Sequence, residues 1–407
     1  MMRALYAGVS GLQNHQLRMD VVADNIANAN TAGFKASRVT FAETMAQTLR
    51  GAGAPQRGIG GTNPLQVGLG VQTVAIDTIA TRGSAEMTGV ASDLSIEGDG
   101  YFMVEGPGGR FYTRAGAFRF DSQGNLVNPD GFRVLGWLAD SAGNITQGVG
   151  DLKPLLVQLN QTLPGQASTA IQVLGNLDAR SQPGDTFNMS VAVTDSLGAT
   201  HVLILEFTAT ANPGEWDVQV TDEAGNLLAQ SSAPLTFDSS GVPTANTTLA
   251  FAFNPGGGAA AMNLNLDLGS LRQMAMFTDL FGRADGYGPG QLTAVNIDHG
   301  GIVRGSFSNG RTAVLGQIAL AQFANPAGLE RQGGSLFAET ANSGRPDIGG
   351  AGTGGRGGIL PGTVEMSNVD LAHEFTTMIT TERGFQANAR VITVADEMLH
   401  ELANLKR

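Results

Sequence analysis

Hydrophobic residues recur in alternating steps of four and three along the first thirty positions. The series is Leu5, Val9, Leu12, Gln16, Met19, Ala23, Ile26 and Asn30. This spacing is typical of a coiled-coil helix, whose apolar stripe packs against another helix. A polar member of such a stripe fixes the register at some cost in stability. Gly33 then offers a helix stop, since glycine tolerates the left-handed conformation.

The same spacing returns at the other end of the chain. Its members are Leu371, Phe375, Met378, Glu382, Phe385, Ala389, Ile392, Asp396, Leu399 and Ala403. The segment "SNVD", Ser367–Asp370, resembles a capping box. The pattern therefore predicts a helix over 368–405, about 57 Å long at a rise of 1.5 Å per residue. Gly384 lies inside it, at a cost of about 1 kcal/mol.

The two terminal stripes allow two interpretations. A single amphipathic helix often packs on its own domain, and either stripe alone is compatible with that. Two long stripes at opposite ends favour pairing with each other or with copies from other subunits. Stripes this wide are not buried by one helix pair, so we expect oligomerisation through the terminal helices.

Alternating β patterns fill the middle of the chain. The segments "DLSIEGDGYFMVE" (93–105) and "FRFDSQGNLVNPDGFRVLGW" (118–137) place short apolar alternations around glycine turns. Short strands at this spacing, continued by "HVLILEF" and "EWDVQVT", predict a sandwich or barrel-like module. The glycine-rich stretch 347–362 is predicted to be a flexible connection. The fold class is therefore α+β, with long terminal coiled-coil helices and mainly-β domains between them.

Charge and composition narrow the functional classes. The chain has 407 residues, 57 glycines, no cysteine and a formal net charge of −12. The acidic balance argues against nucleic acid and anionic membranes as partners, because both need a basic footprint. The lack of cysteine excludes disulfides and thiolate chemistry. No apolar run reaches membrane-spanning length, and the first residues lack the continuous apolar region of a cleaved secretory signal.

The sequence offers little that resembles a catalytic, cofactor or metal site. Five histidines are scattered along the chain, and no G-x-S-x-G elbow occurs. The tract 350–355 matches G-x-G-x-x-G only formally, because no strand pattern precedes it. Asp93, Glu97 and Asp99 lack the spacing of an EF-hand and are better explained as turn carboxylates that bind their own backbone. We therefore expect no enzyme activity and no cofactor.

The segment "DNIANANTAGFK", residues 24–35, resembles the N-terminal signature of the bacterial flagellar rod and hook proteins. Further segments with the look of that family follow in order, including "YTRAGAFRFDSQGNLVNPDG" and "GSFSNGRTAVLGQIALAQFANPAGL". The last of them is "SNVDLAHEFTTMITTERGFQANARVITVADEMLHEL". Together they span nearly the whole chain, and the two terminal signatures are specific. The pair Glu382–Arg383 stands where family members often show Gln-Arg, and Gly384 stands where bulkier residues are common, which puts only the local packing of the last helix in doubt.

The resemblance implies a nested domain layout and a mechanical function. The implied domains are an inner pair of terminal helices (1–32 and 366–407), an extended linker (33–70), a middle β domain (71–145 and 285–365) and an outer inserted β domain (146–284). Distal rod members lack the block from about Gly175 to Phe281, which resembles the hook members. The implied function is a structural subunit of a bendable tube that carries motor torque to the filament. A distal rod (drive-shaft) protein is the alternative.

The resemblance also implies partners and contact residues. The chain would polymerise with itself and meet the distal rod, the hook cap, the hook–filament junction proteins and the flagellar export apparatus. It would lie outside the cell, exported without a cleaved signal peptide. Polymerisation contacts are expected at Leu5, Val9, Leu12, Met19, Asn25, Ile26, Asn28, Asn30, Leu371, Phe375, Met378, Phe385, Ala389, Ile392 and Leu399. The three asparagines would satisfy backbone groups across subunits.

Two other classes stay open on the residues alone. A β-rich glycan hydrolase with paired carboxylates would be a monomer indifferent to losing its ends. A surface adhesin or binding module would normally carry a secretory signal. Sedimentation of the full-length and end-trimmed chain separates both from a self-assembling subunit.

Overall fold

Two compact units make up the structure, a computed structural model that describes residues 2–55, 60–158 and 161–404. The terminal unit comprises Met1–Gln158, Val295–Arg304 and Val314–Arg407, and the inserted unit comprises Leu159–Ala294 and Gly305–Ala313. The fold is α+β, mostly β with one helix near each end, as the hydrophobic patterns predict. The finer division into three nested domains stays a prediction.

Helix α1 spans Met2–Ala27 and helix α2 spans Leu371–Asn404. The first helix ends at Ala27, earlier than the predicted stripe to Asn30 and the stop at Gly33, and the chain continues in a turn in which Gly33 has a φ of +69°. A side chain there would meet the backbone of Ala115, because an added Cβ would stand 2.3 Å from the Ala115 nitrogen. The last residue of the predicted helix, Leu405, lies outside the described residues.

The predicted start of α2 at residue 368 is wrong, because the cap is Asp370 and not Ser367. The Asp370 Oδ1 atom accepts hydrogen bonds from the N–H groups of Ala372 (2.9 Å) and His373 (3.3 Å). These bonds satisfy two donors that the first turn of a helix leaves free. The side chain of Asn368 binds other parts of the fold instead of capping a helix.

The two helices pack side by side in antiparallel directions. Gly8 of α1 lies against Ile392 of α2, and Gly11 lies against Asn388. A Cβ atom added to Gly11 would stand 2.7 Å from the Asn388 Oδ1 atom. Glycine at these positions therefore lets the two helix backbones approach closely.

Gly384 has the same role on the other helix. A Cβ atom there would stand 2.7 Å from the Cε1 atom of His15, whose ring also meets Phe41 edge-on at 6.0 Å. Burial, with Arg18 nearby, lowers the pKa of His15 and favours its neutral form. The unusual glycine within α2 is thus explained by the imidazole that occupies its place.

A long β hairpin follows α1. Strand β1 (Ser37–Glu43) pairs antiparallel with β4 (Val71–Thr78), and β2 (Ala46–Arg50) pairs with β3 (Leu65–Gly68). The predicted linker 33–70 therefore contains three strands, and their pairing continues past its predicted end.

The other strands follow in chain order. They are β5 Ala85–Met87, β6 Leu94–Glu97, β7 Tyr101–Gly106, β8 Gly109–Thr113, β9 Arg119–Phe120, β10 Leu126–Val127, β11 Arg133–Leu138, β12 Lys153–Pro154, β13 Thr162–Leu163, β14 Ala170–Asp178, β15 Thr186–Thr194, β16 Thr200–Ala209, β17 Glu215–Asp222, β18 Leu227–Gln230, β19 Leu235–Phe237, β20 Pro243–Ala245, β21 Thr248–Phe253, β22 Met262–Met274, β23 Asp279–Ala284, β24 Gly290–Ile297, β25 Ile302–Phe307, β26 Thr312–Gln322, β27 Glu330–Gly333, β28 Leu336–Ala338, β29 Asp347–Gly350, β30 Gly358–Pro361 and β31 Thr363–Glu365.

In the terminal unit, β11, β7, β8 and β28 lie side by side in one sheet, and β26 pairs with both β11 and β7. Their inward side chains form an aromatic core that includes Tyr101, Tyr112, Trp137 and Phe337. The Trp137 Nε1–H group donates to the carbonyl of Gly148 at 2.8 Å, which satisfies the polar end of a buried ring.

The glycine-rich stretch 347–362 is not a flexible connection, so that prediction is wrong. Strand β29 pairs with β26, and β30 pairs with β6. Side chains would collide there: an added Cβ would stand 2.4 Å from the carbonyl oxygen of Glu97 at Gly357, and 2.1 Å from the His299 ring at Gly358. The glycines serve close packing, which composition alone does not distinguish from flexibility.

The inserted unit is a β sandwich, which confirms the predicted module. One sheet runs β15-β16-β17-β19-β20 with β18 beside β17, and the other runs β21-β22-β14-β23. Inward side chains from both sheets share one core, which includes Ile171, Val191, Leu205, Trp216 and Leu266. The alternate residues of each strand therefore form two outer faces.

Asp-x-x-Gly turns recur between the strands, as the turn signals predict. In the turn from Asp222 to Asn226, Asp222 Oδ1 accepts the Asn226 N–H (2.7 Å) and Asp222 Oδ2 accepts the Asn226 amide (2.8 Å). Gly225 has a φ of +82°. The turns that begin at Asp121, Asp140 and Asp298 bind their own backbone in the same way. These carboxylates are turn-forming groups.

Candidate assembly surface and polar junction

The predicted contact residues of the two helices differ in exposure. Val9, Leu371 and Phe375 are 41%, 43% and 50% exposed. The others on the apolar stripes are half-buried, namely Leu5, Leu12, Met19, Ile26, Met378, Phe385, Ala389, Ile392 and Leu399. Their role in polymerisation stays a prediction.

More apolar side chains are exposed on the helices than the heptad spacing indicates. Met2 and Tyr6 of α1 are 60% and 67% exposed, and Ile379 of α2 is 52% exposed. The antiparallel register that sets Gly8 against Ile392 places the start of α1 near the end of α2, where Val391, Val394 and Met398 are also exposed. The four-residue step from Met2 to Tyr6 is the sequence signal for these exposed residues, but both lie outside the stripe that begins at Leu5.

The three asparagines at the end of α1 and in the turn after it have different environments. Asn25 is 1% exposed and pairs with the backbone of Ser37: its Nδ2 donates to the Ser37 carbonyl, and its Oδ1 accepts the Ser37 N–H, both at 2.9 Å. Its Nδ2 also donates to Glu374 Oε1 at 3.1 Å. The Asn28 amide donates to the carbonyl of Asp24 at 2.9 Å, and Asn30 is exposed. Asn25 thus joins α1, β1 and α2 within one chain.

A buried charge cluster lies directly after this turn. Lys35 and Glu365 are 1% and 0% exposed, and the Lys35 ammonium contacts Glu365 Oε1. Arg114 Nη1 lies 3.2 Å from Glu365 Oε2. Lys35 also donates to the Thr81 carbonyl at 2.8 Å, and the Gly83 N–H donates to Glu365 Oε1 at 3.0 Å. One carboxylate therefore binds two cations and connects distant parts of the terminal unit.

The electrostatics of the cluster follow from its burial. Burial lowers the pKa of Lys35, and the Glu365 carboxylate acts in the opposite direction. The guanidinium of Arg114 lies 5.2 Å from the centre of the Tyr101 ring, and burial raises the pKa of that phenol. Sequence reasoning missed Arg114 and Glu365, because a single charged residue beside a strand does not reveal its partner.

Two further side chains hold the segment that leaves α1. The Asn368 Oδ1 atom accepts the Ala36 N–H at 2.8 Å, and the Asn368 amide donates to the Ile79 carbonyl at 2.9 Å. Arg331 donates to the Lys35 carbonyl at 3.0 Å and lies over the Phe34 ring at 4.6 Å. We call Lys35, Arg114, Arg331, Glu365 and Asn368 the polar junction.

The polar junction connects the segment that leaves α1 with the chain near Thr81 and with the segment before α2. Within the described ranges 2–55, 60–158 and 161–404, no group of three or more histidine and acidic side chains is placed to hold a metal ion. Among the described helices, none is long and apolar enough to cross a membrane.

Family models match the chain in four places. They are Flagella basal body rod protein (residues 5–35), Flagellar hook protein FlgE/F/G D1 domain (95–175), Flagellar basal body protein FlaE D2 domain (158–287) and Flagellar basal body rod FlgEFG protein C-terminal (360–405). The matches cover both helices and the inserted sandwich. They define a structural protein of the flagellar hook and rod.

Full-length relatives distinguish between the hook proteins and the rod proteins of this family. The flagellar hook protein FlgE of Borreliella burgdorferi is 40% identical, and that of Treponema pallidum is 38% identical; each alignment covers 100% of both chains. The flagellar basal-body rod protein FlgG of Bacillus subtilis is 30% identical, again over 100% of both chains. The chain belongs to the FlgE family of flagellar hook proteins, and the rod alternative is the weaker one.

Proposed function

We propose that this hook subunit polymerises through its terminal helices into a bendable tube that carries motor torque to the filament. The observation that carries the proposal is the set of exposed apolar side chains on α1 and α2. Tyr6, Phe375 and Ile379 are at least half exposed. Apolar patches of this kind are costly in a monomer and typical of protein contacts. A coiled-coil arrangement of these helices between subunits would cover them.

The β hairpin supports the same proposal. Met45, Leu49, Leu65, Val74 and Ile76 are 80%, 53%, 52%, 60% and 48% exposed. A two-stranded hairpin is marginally stable alone in water, so an exposed apolar hairpin gains stability when a neighbour covers it. In a polymer, this hairpin would extend the contacts that the helices begin.

The family supplies the remaining parts of the proposal. The chain is a component of the bacterial flagellum, and we propose that it lies outside the cell after export without a cleaved signal peptide. Its proposed neighbours are the distal rod, the hook cap and the hook–filament junction proteins, with the export apparatus as a transient partner. The proposed role is mechanical and not enzymatic.

Substitution of one exposed residue tests the proposed assembly. Phe375→Ser removes apolar surface without disturbing a buried side chain, so the thermal unfolding of the monomer should stay unchanged. The polymer should need at least about tenfold more protein to form, since each 1.4 kcal/mol corresponds to a factor of ten. Ala387→Ser, at an exposed position of the same helix, is the matched control. Sedimentation that shows equal polymer for Phe375→Ser, Ala387→Ser and the unchanged chain would contradict the proposal.

A further inference from the structure

The ring of His15 lies where α1, α2 and β1 meet. It is half-buried on α1, and its Cε1 and Nε2 atoms stand 2.7 and 2.8 Å from the place that a Cβ atom of Gly384 would take. It also meets the ring of Phe41 at a centroid distance of 6.0 Å and an interplanar angle of 77°. One imidazole therefore contacts the partner helix and the first strand of the β hairpin at once.

The contacts beside His15 hold the same hairpin to α1 through neutral groups. The Asn14 amide donates to the carbonyl of Val71 at 2.9 Å, and the Asn14 oxygen accepts the Thr73 hydroxyl at 2.6 Å. The Val71 N–H donates to the Ser10 hydroxyl at 3.3 Å. None of these groups changes charge near neutral pH, so His15 is the group of this contact region that titrates there.

The surroundings of the ring suit a neutral imidazole and not a cation. The Nδ1 atom of His15 is buried and has no hydrogen-bond partner among the described residues. The nearby carbonyl of Gly384 already accepts the Asn388 amide at 3.0 Å. A neutral ring can carry its proton on Nε2, whereas a charged ring must carry one on Nδ1 as well. Protonation would therefore leave a buried N–H donor of a charged group without an acceptor.

Charges near the ring add to this cost. Burial and the charge of Arg18 both lower the pKa of His15. Arg18 also lies 5.9 Å from the centre of the Phe41 ring, so a protonated His15 would set a second cation beside the first. The carboxylates of Asp77 and Glu382 have other partners, Arg38 at 3.9 Å and the Gln386 amide at 3.1 Å. The charged residues nearest to His15 along the surrounding elements are Arg18 and Asp20 of α1, Glu382 and Arg383 of α2, Arg38 and Glu43 of β1, and Asp77 of β4.

We propose that His15 is an acid-sensitive latch: when its ring gains a proton, α1 parts locally from α2 and from the β hairpin, while the β sheets of both units stay folded. The closed state binds this proton less readily than an opened one, because the pKa of His15 is lowered in it. The latch therefore stabilises fully above the ordinary histidine pKa of 6.5, and its contribution is lost as the pH falls through the lowered pKa of the closed state. This loss begins well above the ordinary pKa of aspartate, which is about 4.

The same event bears on assembly. The two helices and the hairpin carry the exposed apolar side chains of the proposed contacts, and an opened pair no longer presents them in one arrangement. Mild acid should therefore raise the protein concentration needed for polymer formation. This consequence rests on the proposed function, whereas the latch itself is a property of the single chain.

Hydrogen exchange of the monomer at about pH 7 and about pH 5, corrected for the intrinsic pH dependence of amide exchange, tests the latch. Amides of α1, β1, β4 and the middle of α2 should lose protection at least about threefold at the lower pH, since opening is then coupled to proton uptake. Amides of the inserted sandwich should not change. His15→Phe keeps a ring without a titrating nitrogen, and its protection should be the same at both pH values.

Further variants separate the charge effect from a packing effect. Arg18→Gln removes the neighbouring cation, so the loss of protection in acid should become smaller. His373→Gln, at an exposed position of α2, is the matched histidine control and should behave like the unchanged chain. If His15→Phe does not fold, His15→Gln replaces it, because it also lacks a titrating group.

The outcomes are distinct. Loss of protection in acid that occurs in the unchanged chain and is absent from His15→Phe supports the latch. Equal protection of the unchanged chain at the two pH values, or an equal acid loss in His15→Phe, would overturn it.

Sedimentation at the same two pH values tests the consequence for assembly. The concentration needed for polymer formation should rise at least about threefold in acid for the unchanged chain and not for His15→Phe. An equal rise in both chains would overturn this consequence alone. The comparison of Phe375→Ser with its control at neutral pH tests the proposed function independently of either result.

Discussion

Glu365 is the residue on which the polar junction depends. It is fully buried between the ammonium of Lys35 and the guanidinium of Arg114. A buried ion pair adds little net stability over an apolar replacement, but removal of one partner leaves an uncompensated charge. Here the loss of one carboxylate leaves two cations without their counter-ion. Any other position of Lys35 would leave a buried charge without its partner. The junction therefore fixes where Lys35 lies and, with it, the path of the chain as it leaves α1.

Glu365→Gln should lower the free energy of unfolding by about 3–5 kcal/mol, because it leaves two buried cations uncompensated. Urea unfolding of the monomer measures this loss. Glu97→Gln is the matched control: its carboxylate is exposed and lies 3.9 Å from Arg82, so its removal should cost less than about 1 kcal/mol. An equal loss of unfolding free energy in Glu365→Gln and Glu97→Gln would show that the buried charge cluster does not hold the segment that leaves α1.

The turn aspartates predict how stability depends on pH. The amide of Asn226 and neighbouring backbone N–H groups hold the pKa of Asp222 below its ordinary value. Asp121 and Asp140 behave in the same way. The folded state therefore binds these protons less readily than the unfolded state. Their stabilisation is complete above the ordinary aspartate pKa and is lost as the pH falls through the lowered folded-state pKa.

Urea midpoints measured from neutral pH down to about pH 3 should fall most steeply at the acid end, below the ordinary aspartate pKa. Asp222→Asn should be less stable than the unchanged chain at neutral pH, and the difference should shrink in acid. Asp20→Asn, at an exposed position of α1, is the control and should change little. A difference for Asp222→Asn that grows as the pH falls would contradict the assigned sign.

At the scale of elements, small residues set the distance between α1 and α2. Gly8 and Gly11 of one helix and Gly384 of the other lie at the contact. Glycine in a helix interior costs about 1 kcal/mol relative to alanine. At these three positions, the closer packing of the two helices offsets that cost. The helix pair is therefore a defined structure within each chain and not only a surface for partners.

Gly384→Ala tests this packing. Helix propensity alone predicts a gain of about 1 kcal/mol, whereas the added methyl would stand 2.7 Å from the His15 ring and should reverse the sign. Chemical unfolding of the monomer decides between the two. His15→Ala combined with Gly384→Ala should recover part of the loss by making room, and a non-additive double-mutant cycle is expected. Stabilisation by Gly384→Ala alone would refute close packing at this position.

The hydrophobic pattern along the chain predicts the two helices and the sandwich, because both kinds of structure depend on local periodicity. The four-three spacing predicts α1 and α2, and the alternation in β16 and β17 predicts the inserted sheet. The pattern fails where long-range contacts decide. Asn368 binds Ala36 and Ile79 instead of starting a helix, and the glycines near residue 357 fill tight space instead of giving flexibility. The Lys35–Glu365 pair spans 330 positions, so no local signal exists for it.

At the scale of the whole molecule, two kinds of contact surface are present. The terminal helices and the β hairpin expose apolar side chains, while strands β15 to β20 of the inserted unit carry carboxylates and no lysine or arginine. Apolar contacts hold subunits together with little dependence on salt, whereas exposed ionic contacts are weak and are screened by it. A joint that bends while transmitting torque needs one continuous set of contacts and another that adjusts. The distribution of side chains in this chain suits that division.

The central claim is that the terminal helices become buried between subunits in the polymer, and thiol labelling tests it most directly. The chain has no cysteine, so a single introduced thiol reports on its own position. Phe375→Cys should react readily in the monomer and at least about tenfold more slowly in the polymer, because burial limits reagent access. Ser141→Cys, in an exposed turn of the terminal unit, controls for general crowding and should react equally in both states. Equal reactivity of Phe375→Cys in monomer and polymer would contradict assembly through the helices.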